Sequence, residues 1–250
     1  DRAKDMGIVD WLWEQKKLGR IRSFGFSCHD NAAGFEHILR DQPWDFCQLQ
    51  YNYLDTDDRA EEIAGDRGYA LTEELNVPLI IMEPIKGGSL VKLPETAADV
   101  LRTANADAPL ASWALRFAAS LPGVLTVLSG MSTPEQVREN VGIMRGFKPL
   151  TREERAAVDH ARAILDGIPT VPCTDCRYCL KNCPQGVRIP AALASLNILA
   201  LYQDEYRAQE NYDWNASQGP ASSCIGCGAC EGVCPQHIGI PEEMAKLRAL

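Results

Sequence analysis

Three observations predict an α/β unit followed by a small, mainly helical, cysteine-rich unit. Short apolar runs alternate with amphipathic stretches four times along the chain before residue 169. Asp166-Gly167-Ile-Pro169-Thr-Val-Pro172 then supplies a helix-stopping glycine and two prolines, the signature of a boundary. Beyond it, one cysteine spacing is written twice. The expected domains are therefore residues 1–168 and 169–250.

From Met6 to Leu18 the apolar residues Ile8, Val9, Leu12 and Trp13 recur at helical spacing, and Gly19 stops the segment. Ile21 to Ser27 reads as a short buried strand. Asn31 to Arg40 reads as helix and Asp45 to Tyr51 as the next strand. A helical stretch from Arg59 to Leu75 leads into the apolar strand from Val77 to Met82. After the Gly87-Gly88 loop come helices over Thr96 to Ala104 and Leu110 to Ala119, then a strand from Val124 to Leu128.

Thr133-Pro134-Glu135-Gln136 is a capping box with proline at the first helical position, so a helix starts there. Thr151-Arg-Glu-Glu154 is a second box, and Ala157, Val158, Ala161, Ile164 and Leu165 form the apolar stripe of the helix it opens. Four strands alternating with helices predict parallel βαβ units with right-handed crossovers, which is half of an eight-stranded (β/α)8 barrel.

The repeated pattern is Cys173-Thr-Asp-Cys176-Arg-Tyr-Cys179-Leu-Lys-Asn-Cys183-Pro184 and Cys224-Ile-Gly-Cys227-Gly-Ala-Cys230-Glu-Gly-Val-Cys234-Pro235. Each copy reads C-x2-C-x2-C-x3-C-P, the run that wraps one [4Fe-4S] cluster with three thiolates and lends its fourth to the other cluster. On that logic one cluster takes Cys173, Cys176, Cys179 and Cys234, and the other takes Cys224, Cys227, Cys230 and Cys183. A pair of structural zinc sites is the rival reading, but zinc has no use for a third cysteine at this spacing followed by Cys-Pro. The repeat runs on through Pro190 and Pro241, each at the start of a helix, and Leu193, Leu196, Leu199 and Ala200 form a stripe after the first. A mainly helical two-cluster ferredoxin-type fold is expected.

The net charge of -9 argues against nucleic acid or an anionic membrane as a partner. No apolar run approaches a membrane span, and nothing resembles a signal peptide. Thiols that must stay reduced to hold iron point to the cytoplasm. Acidic character suits docking to a basic patch on a redox partner such as a ferredoxin or flavoprotein.

Four further stretches, in order, carry a resemblance. They are Lys17-Leu-Gly-Arg-Ile-Arg-Ser-Phe-Gly-Phe-Ser27, Gln48-Leu-Gln-Tyr-Asn52, Ile81-Met-Glu-Pro-Ile-Lys-Gly-Gly88 and Ser129-Gly-Met-Ser-Thr-Pro-Glu-Gln-Val-Arg-Glu-Asn140. With the cysteine run, the chain resembles the carboxyl half of the iron-sulfur-containing branch of the aldo/keto reductases. The resemblance implies an oxidoreductase that reduces a small carbonyl substrate with NAD(P)H. By it, Ser27 and Gln48 hold the nicotinamide carboxamide, and Met82 stands where the family stacks a tyrosine under the ring. Gly130 to Thr133, including Ser132, receive phosphate, while Glu139 and Asn140 contact the adenine.

Cys28 departs from the family's asparagine, and no lysine or arginine lies between Ser129 and Gln136 to clamp a 2'-phosphate, which leaves NAD against NADP open. The family's catalytic tyrosine, lysine, aspartate and histidine belong to the first four barrel units, so no catalytic residue is expected here. The alternative reading is an electron-transfer module whose half barrel is a scaffold or docking surface. A homo-dimer that closes two half barrels through their open strand edges is a third expectation. Among residues with blander roles, Cys28 and Cys47 read as inert core, and Trp11, Trp13, Trp44 and Trp113 read as packing. His29 and His237 read as loop residues. Arg177 in the first cysteine loop is expected to raise that cluster's potential above the other's.

Overall fold

The computed structural model describes residues 2–56, 63–173 and 175–247. Contacts divide the chain into two compact units, Asp1–Val91 with Val100–Arg162, and Lys92–Asp99 with Ala163–Leu250.

The first unit opens with the helices α1 (Arg2–Asp5) and α2 (Ile8–Lys17), and then alternates β1 (Gly25–Cys28), α3 (Ala32–Asp41), β2 (Phe46–Gln50), α4 (Gly65–Glu74) and β3 (Leu79–Met82). A 3-10 segment, Lys86–Val91, leads to α5 (Glu95–Ala104), whose residues up to Asp99 count with the second unit, and α6 (Leu110–Ala119), followed by β4 (Val124–Val127), α7 (Pro134–Arg145) and α8 (Arg152–Asp166), whose residues from Ala163 count with the second unit. The strands form one parallel sheet in the order β1-β2-β3-β4. Sequential order in a parallel sheet is what four successive βα units produce.

Alternation along the strands decides which face is covered. Cys28, Cys47, Leu49, Leu79 and Ile81 point into one core with Phe35 and Leu39 of α3, Leu71 of α4 and Ala118 of α6. The helices thus pack on one face of the sheet. Paired across the sheet, Ser27, Gln48, Ile80 and Thr126 form a row on the opposite face. A layer of helices on one face only is the arrangement of a barrel segment, not of a doubly wound sheet.

Caps fix the helix starts. Asn31 accepts from Ala33 N and Gly34 N, each at 3.0 Å, and opens α3. Both halves of the Thr133/Gln136 capping box form. So do those of the second box, with Glu154 N to Thr151 Oγ1 at 3.1 Å and Thr151 N to Glu154 Oε2 at 2.9 Å.

Two sequence expectations shift. The first strand is shorter than Ile21 to Ser27, and Trp11 is 56% exposed on α2, whereas Trp113 is fully buried as expected. A helix stripe of period 3.6 does not say how far the buried arc extends, and Trp11 lies beyond it. The beginning of the helix expected from Arg59 falls at residues 57–62, outside the described residues.

The second unit contains α9 (Tyr178–Asn182), α10 (Ile189–Tyr202), α11 (Glu205–Asn215) and α12 (Ile240–Leu247), with 3-10 turns at Ala221–Ser223 and Glu231–Val233. Asp204 caps α11 by accepting from Arg207 N, and it also takes an ion pair from Lys92 at 2.8 Å. Asn197 on α10 accepts from Val171 N at 2.7 Å and donates to Val171 O at 2.9 Å, which ties the approach to Cys173 onto the helix. The core is small and includes two of the repeat cysteines, Cys179 and Cys230, among Ile189, Leu193, Ile238, Ile240 and Met244. Among the described residues no helix is long and apolar enough to cross a membrane.

Candidate metal centre and cofactor site

The eight repeat cysteines surround two small cavities. The first is lined by Cys173, Cys176, Cys179 and Cys234, the second by Cys183, Cys224, Cys227 and Cys230. Each cavity thus takes three thiols from one copy of the repeat and its fourth from the other copy. Burial follows the repeat too. The second cysteine of each copy is exposed, the third buried, and the first and fourth intermediate. Four thiols around a space rather than one point suit a cube of iron and sulfide, whose four irons each need one soft anionic ligand. The donor set therefore fits two [4Fe-4S] groups.

Backbone geometry explains how so short a loop turns its thiols inward. In the second copy Gly226 and Gly228 sit at φ 70° and 71°, in the left-handed region open to glycine. Their counterparts Asp175 and Arg177 take φ 50° and 64° without being glycine. The same holds after the Cys-Pro step, where Gly186 at φ 63° is matched by His237 at φ 51°. Both copies therefore make one turn, and the strain falls on three non-glycine residues. Backbone N-H groups reach sulfurs in both loops, from Val187 to Cys183 at 3.3 Å and from Gly226 to Cys224 at 3.4 Å.

Burial pushes the Cys179 thiol up to about 11 and raises Cys173 and Cys230 as well. These three thiols are thus protonated near neutrality when free, and binding iron releases their protons. Arg177 does line the first cavity, but its guanidinium pairs with Asp175 at 2.6 Å. That pairing cancels much of the net charge on which a higher potential for the first cluster was expected to rest. His237 is exposed.

In the first unit the sheet brings three of the expected residues together. Gln48 Nε2 lies 3.2 Å from Ser27 Oγ and 3.3 Å from Met82 Sδ, and Ser27 Oγ stands 3.8 Å from the same sulfur. Ser27 is exposed, Gln48 intermediate and Met82 buried, so a polar pair lies above a thioether on the face without helices. Beside it, Asp55 is 6% exposed and accepts from Lys86 Nζ at 2.5 Å, Asn52 Nδ2 at 2.8 Å and Gln50 Nε2 at 2.9 Å. Asn52 also donates to Glu83 O at 3.0 Å, which fastens the end of β2 to the turn after β3. Sequence reading singled out neither Asp55 nor Lys86, and their only signal was a charge pair in two loops 31 residues apart.

The remaining expected residues lie on the segment that follows β4. Gly130, Ser132 and Glu139 are exposed along the start of α7. Gln136 Oε1 accepts from Ser132 N at 2.7 Å and Thr133 N at 3.2 Å, so two N-H groups expected to face phosphate are taken by the capping box. Asn140 is buried and donates to Ser129 Oγ at 3.0 Å. Cys28 and Cys47 are core residues, and burial pushes the Cys47 thiol up to about 12.

The family model for the aldo/keto reductase family matches residues 5–163, and that for the 4Fe-4S dicluster domain matches residues 172–238. Two solved structures of aldo-keto reductase AKR11C1 from Bacillus halodurans are similar, one holo and one apo, each 26% identical with a TM-score of 0.47. They match over 59% of this chain and 52% or 53% of their own, so the chain spans about half the length of these relatives. No curated protein matches.

Proposed function

Since this chain belongs to the aldo/keto reductase family and carries a 4Fe-4S dicluster domain, we propose that it serves an iron-sulfur oxidoreductase that reduces carbonyl compounds with NAD(P)H in the cytoplasm. The observation that carries the redox part is the pair of cavities, each faced by four thiols drawn from both copies of the repeat. Nicotinamide supplies a hydride, whereas each cluster carries single electrons.

The roles of this chain's own residues follow from their chemistry. The Ser27 hydroxyl and the Gln48 amide both donate and accept, and so match a carboxamide, which also does both. Holding that group fixes which face of the ring is presented. The Met82 thioether gives the ring a polarizable apolar floor. Asn52, Asp55 and Lys86 brace the turn beside it. Proton donation to the substrate is assigned to no residue of this chain. Clusters and hydride are joined through a redox partner, a ferredoxin or flavoprotein, docked on the acidic surface.

One observation favours the second reading, an electron-transfer module on a half-barrel scaffold. The capping box and Asn140 already satisfy the segment that would receive the nucleotide. Two measurements on anaerobically purified chain separate the readings. Iron and sulfide near eight each per chain, with absorbance that bleaches on reduction, are expected under both. NADH or NADPH fluorescence titration is expected to show binding that Gln48→Ala weakens at least tenfold. Clusters without nicotinamide binding would leave the electron-transfer module standing, and absence of sulfide would remove both.

A further inference from the structure

This inference rests on the two-cluster reading and goes beyond it. The two cysteine-faced cavities share two wall residues, Ile189 and Ile240, while every other lining residue faces one cavity only. The two are counterparts in the repeat, each just before the proline at the start of α10 or α12. Both side chains are buried, at 2% exposure. The same short turn sets each one, with Ile189 N donating to Val187 O at 2.9 Å and Ile240 N to Ile238 O at 2.8 Å. The pair is therefore the wall that both cavities share.

We propose that Ile189 and Ile240 are a shared partition whose low polarity tunes both clusters at once. When a cluster accepts one electron from a reductant it becomes one charge more negative and takes up no proton. The cost of that charge depends on the polarity and water content of its surroundings. A polar side chain in place of either isoleucine lowers that cost on both sides. The same change at Leu193, which faces only the first cavity, or Met244, which faces only the second, acts on one side. Leu193 and Met244 are as deeply buried as the isoleucines, so burial alone does not separate the two classes.

The experiment is an anaerobic redox titration of the full chain with dithionite, followed by EPR, after iron and sulfide content is established for each protein. Ile189→Thr and Ile240→Thr are expected to raise both midpoints together. Leu193→Asn and Met244→Gln are expected to raise one each, and not the same one. Where the wild-type midpoints coincide, the single wave shifts whole in the isoleucine variants and splits in the controls. Should a threonine variant lose iron, Ile189→Ala and Ile240→Ala, which open room for a water molecule at the wall both cavities share, carry the same expectation. An isoleucine variant with intact clusters that moves one midpoint, or neither, overturns the partition and leaves the two-cluster reading intact. A wild-type chain without sulfide overturns both.

Discussion

Arg116 is the residue whose removal has the most readily worked consequence for the first unit. From α6 it donates Nη1 to Glu154 Oε1 at 2.7 Å and Nη2 to Glu154 Oε2 at 2.5 Å, and it reaches Lys148 O at 2.8 Å and Pro149 O at 3.2 Å. The two side chains are only 12% and 11% exposed, so solvent screens the pair weakly. The Arg116 guanidinium, helped by the Thr151 N-H, holds the Glu154 carboxyl at about 2 instead of 4.5, against the opposing effect of burial. A depression of that size corresponds to about 3 kcal/mol.

The sign follows from linkage. The folded carboxyl has the lower pKa, so the folded state binds fewer protons between the two values. The contribution is complete above pH 4.5 and is lost as pH falls toward 2. Arg116→Met leaves a buried carboxylate and two carbonyls without their donor, at a cost of about 3 to 5 kcal/mol at neutral pH. Urea unfolding followed by far-ultraviolet circular dichroism, on wild type and variant both stripped of iron, measures this at pH 6, 4.5 and 3.5. The gap between the two proteins is expected to narrow by roughly 1.4 kcal/mol for each pH unit below 4.5. Glu154→Gln, which keeps an acceptor without the charge, is expected to show a smaller loss and no such narrowing. A constant gap across the three pH values would show that the pair does not act through the Glu154 charge.

Three other outcomes follow from the second unit. Cys234→Ser removes a thiol from the first cavity although it stands in the second motif, and Cys183→Ser does the reverse. Each is expected to reduce the iron to about four per chain, and the double variant Cys234→Ser with Cys176→Ser to lose no more than Cys234→Ser alone. Loss of a further cluster in that double variant would refute crossed ligation. Arg177→Gly and His237→Gly relieve left-handed backbone and are expected to raise the unfolding free energy of the iron-loaded chain by about 1 kcal/mol each, read from the denaturant midpoint, whereas Gly186→Ala lowers it. Finally, a chelator under reducing conditions is expected to melt the second unit, whose core includes two of the thiols, while the first unit keeps its cooperative transition. Hydrogen exchange resolves the two units.

Much of this protein was legible in order along the chain, because its signals are local. A capping box needs only four residues, and both boxes form where Thr133 and Thr151 predict them. Strand identity needs only a short apolar run, so all four strands were found, though their ends shifted. The crossing of Cys183 and Cys234 was legible because C-x2-C-x2-C-x3-C-P is the run whose fourth cysteine serves the other cluster in two-cluster ferredoxins, and the two cavities divide the thiols in that way.

Other features belong to the fold alone. Asp55 and Lys86 are an acid and a base in separate loops until parallel pairing of β2 with β3 lays those loops side by side. Gln136 reads as a cap, but whether its oxygen also occupies the N-H of Ser132 depends on how the loop closes. That Ile189 and Ile240 are each touched by both cavities follows from the packing of one copy of the repeat on the other. The sequence by itself determined which residue types the chemistry uses and the spacing at which they recur, because backbone geometry within a turn is short-ranged. Only the tertiary structure decided which of those residues meet, because a contact between distant segments depends on every element that packs between them.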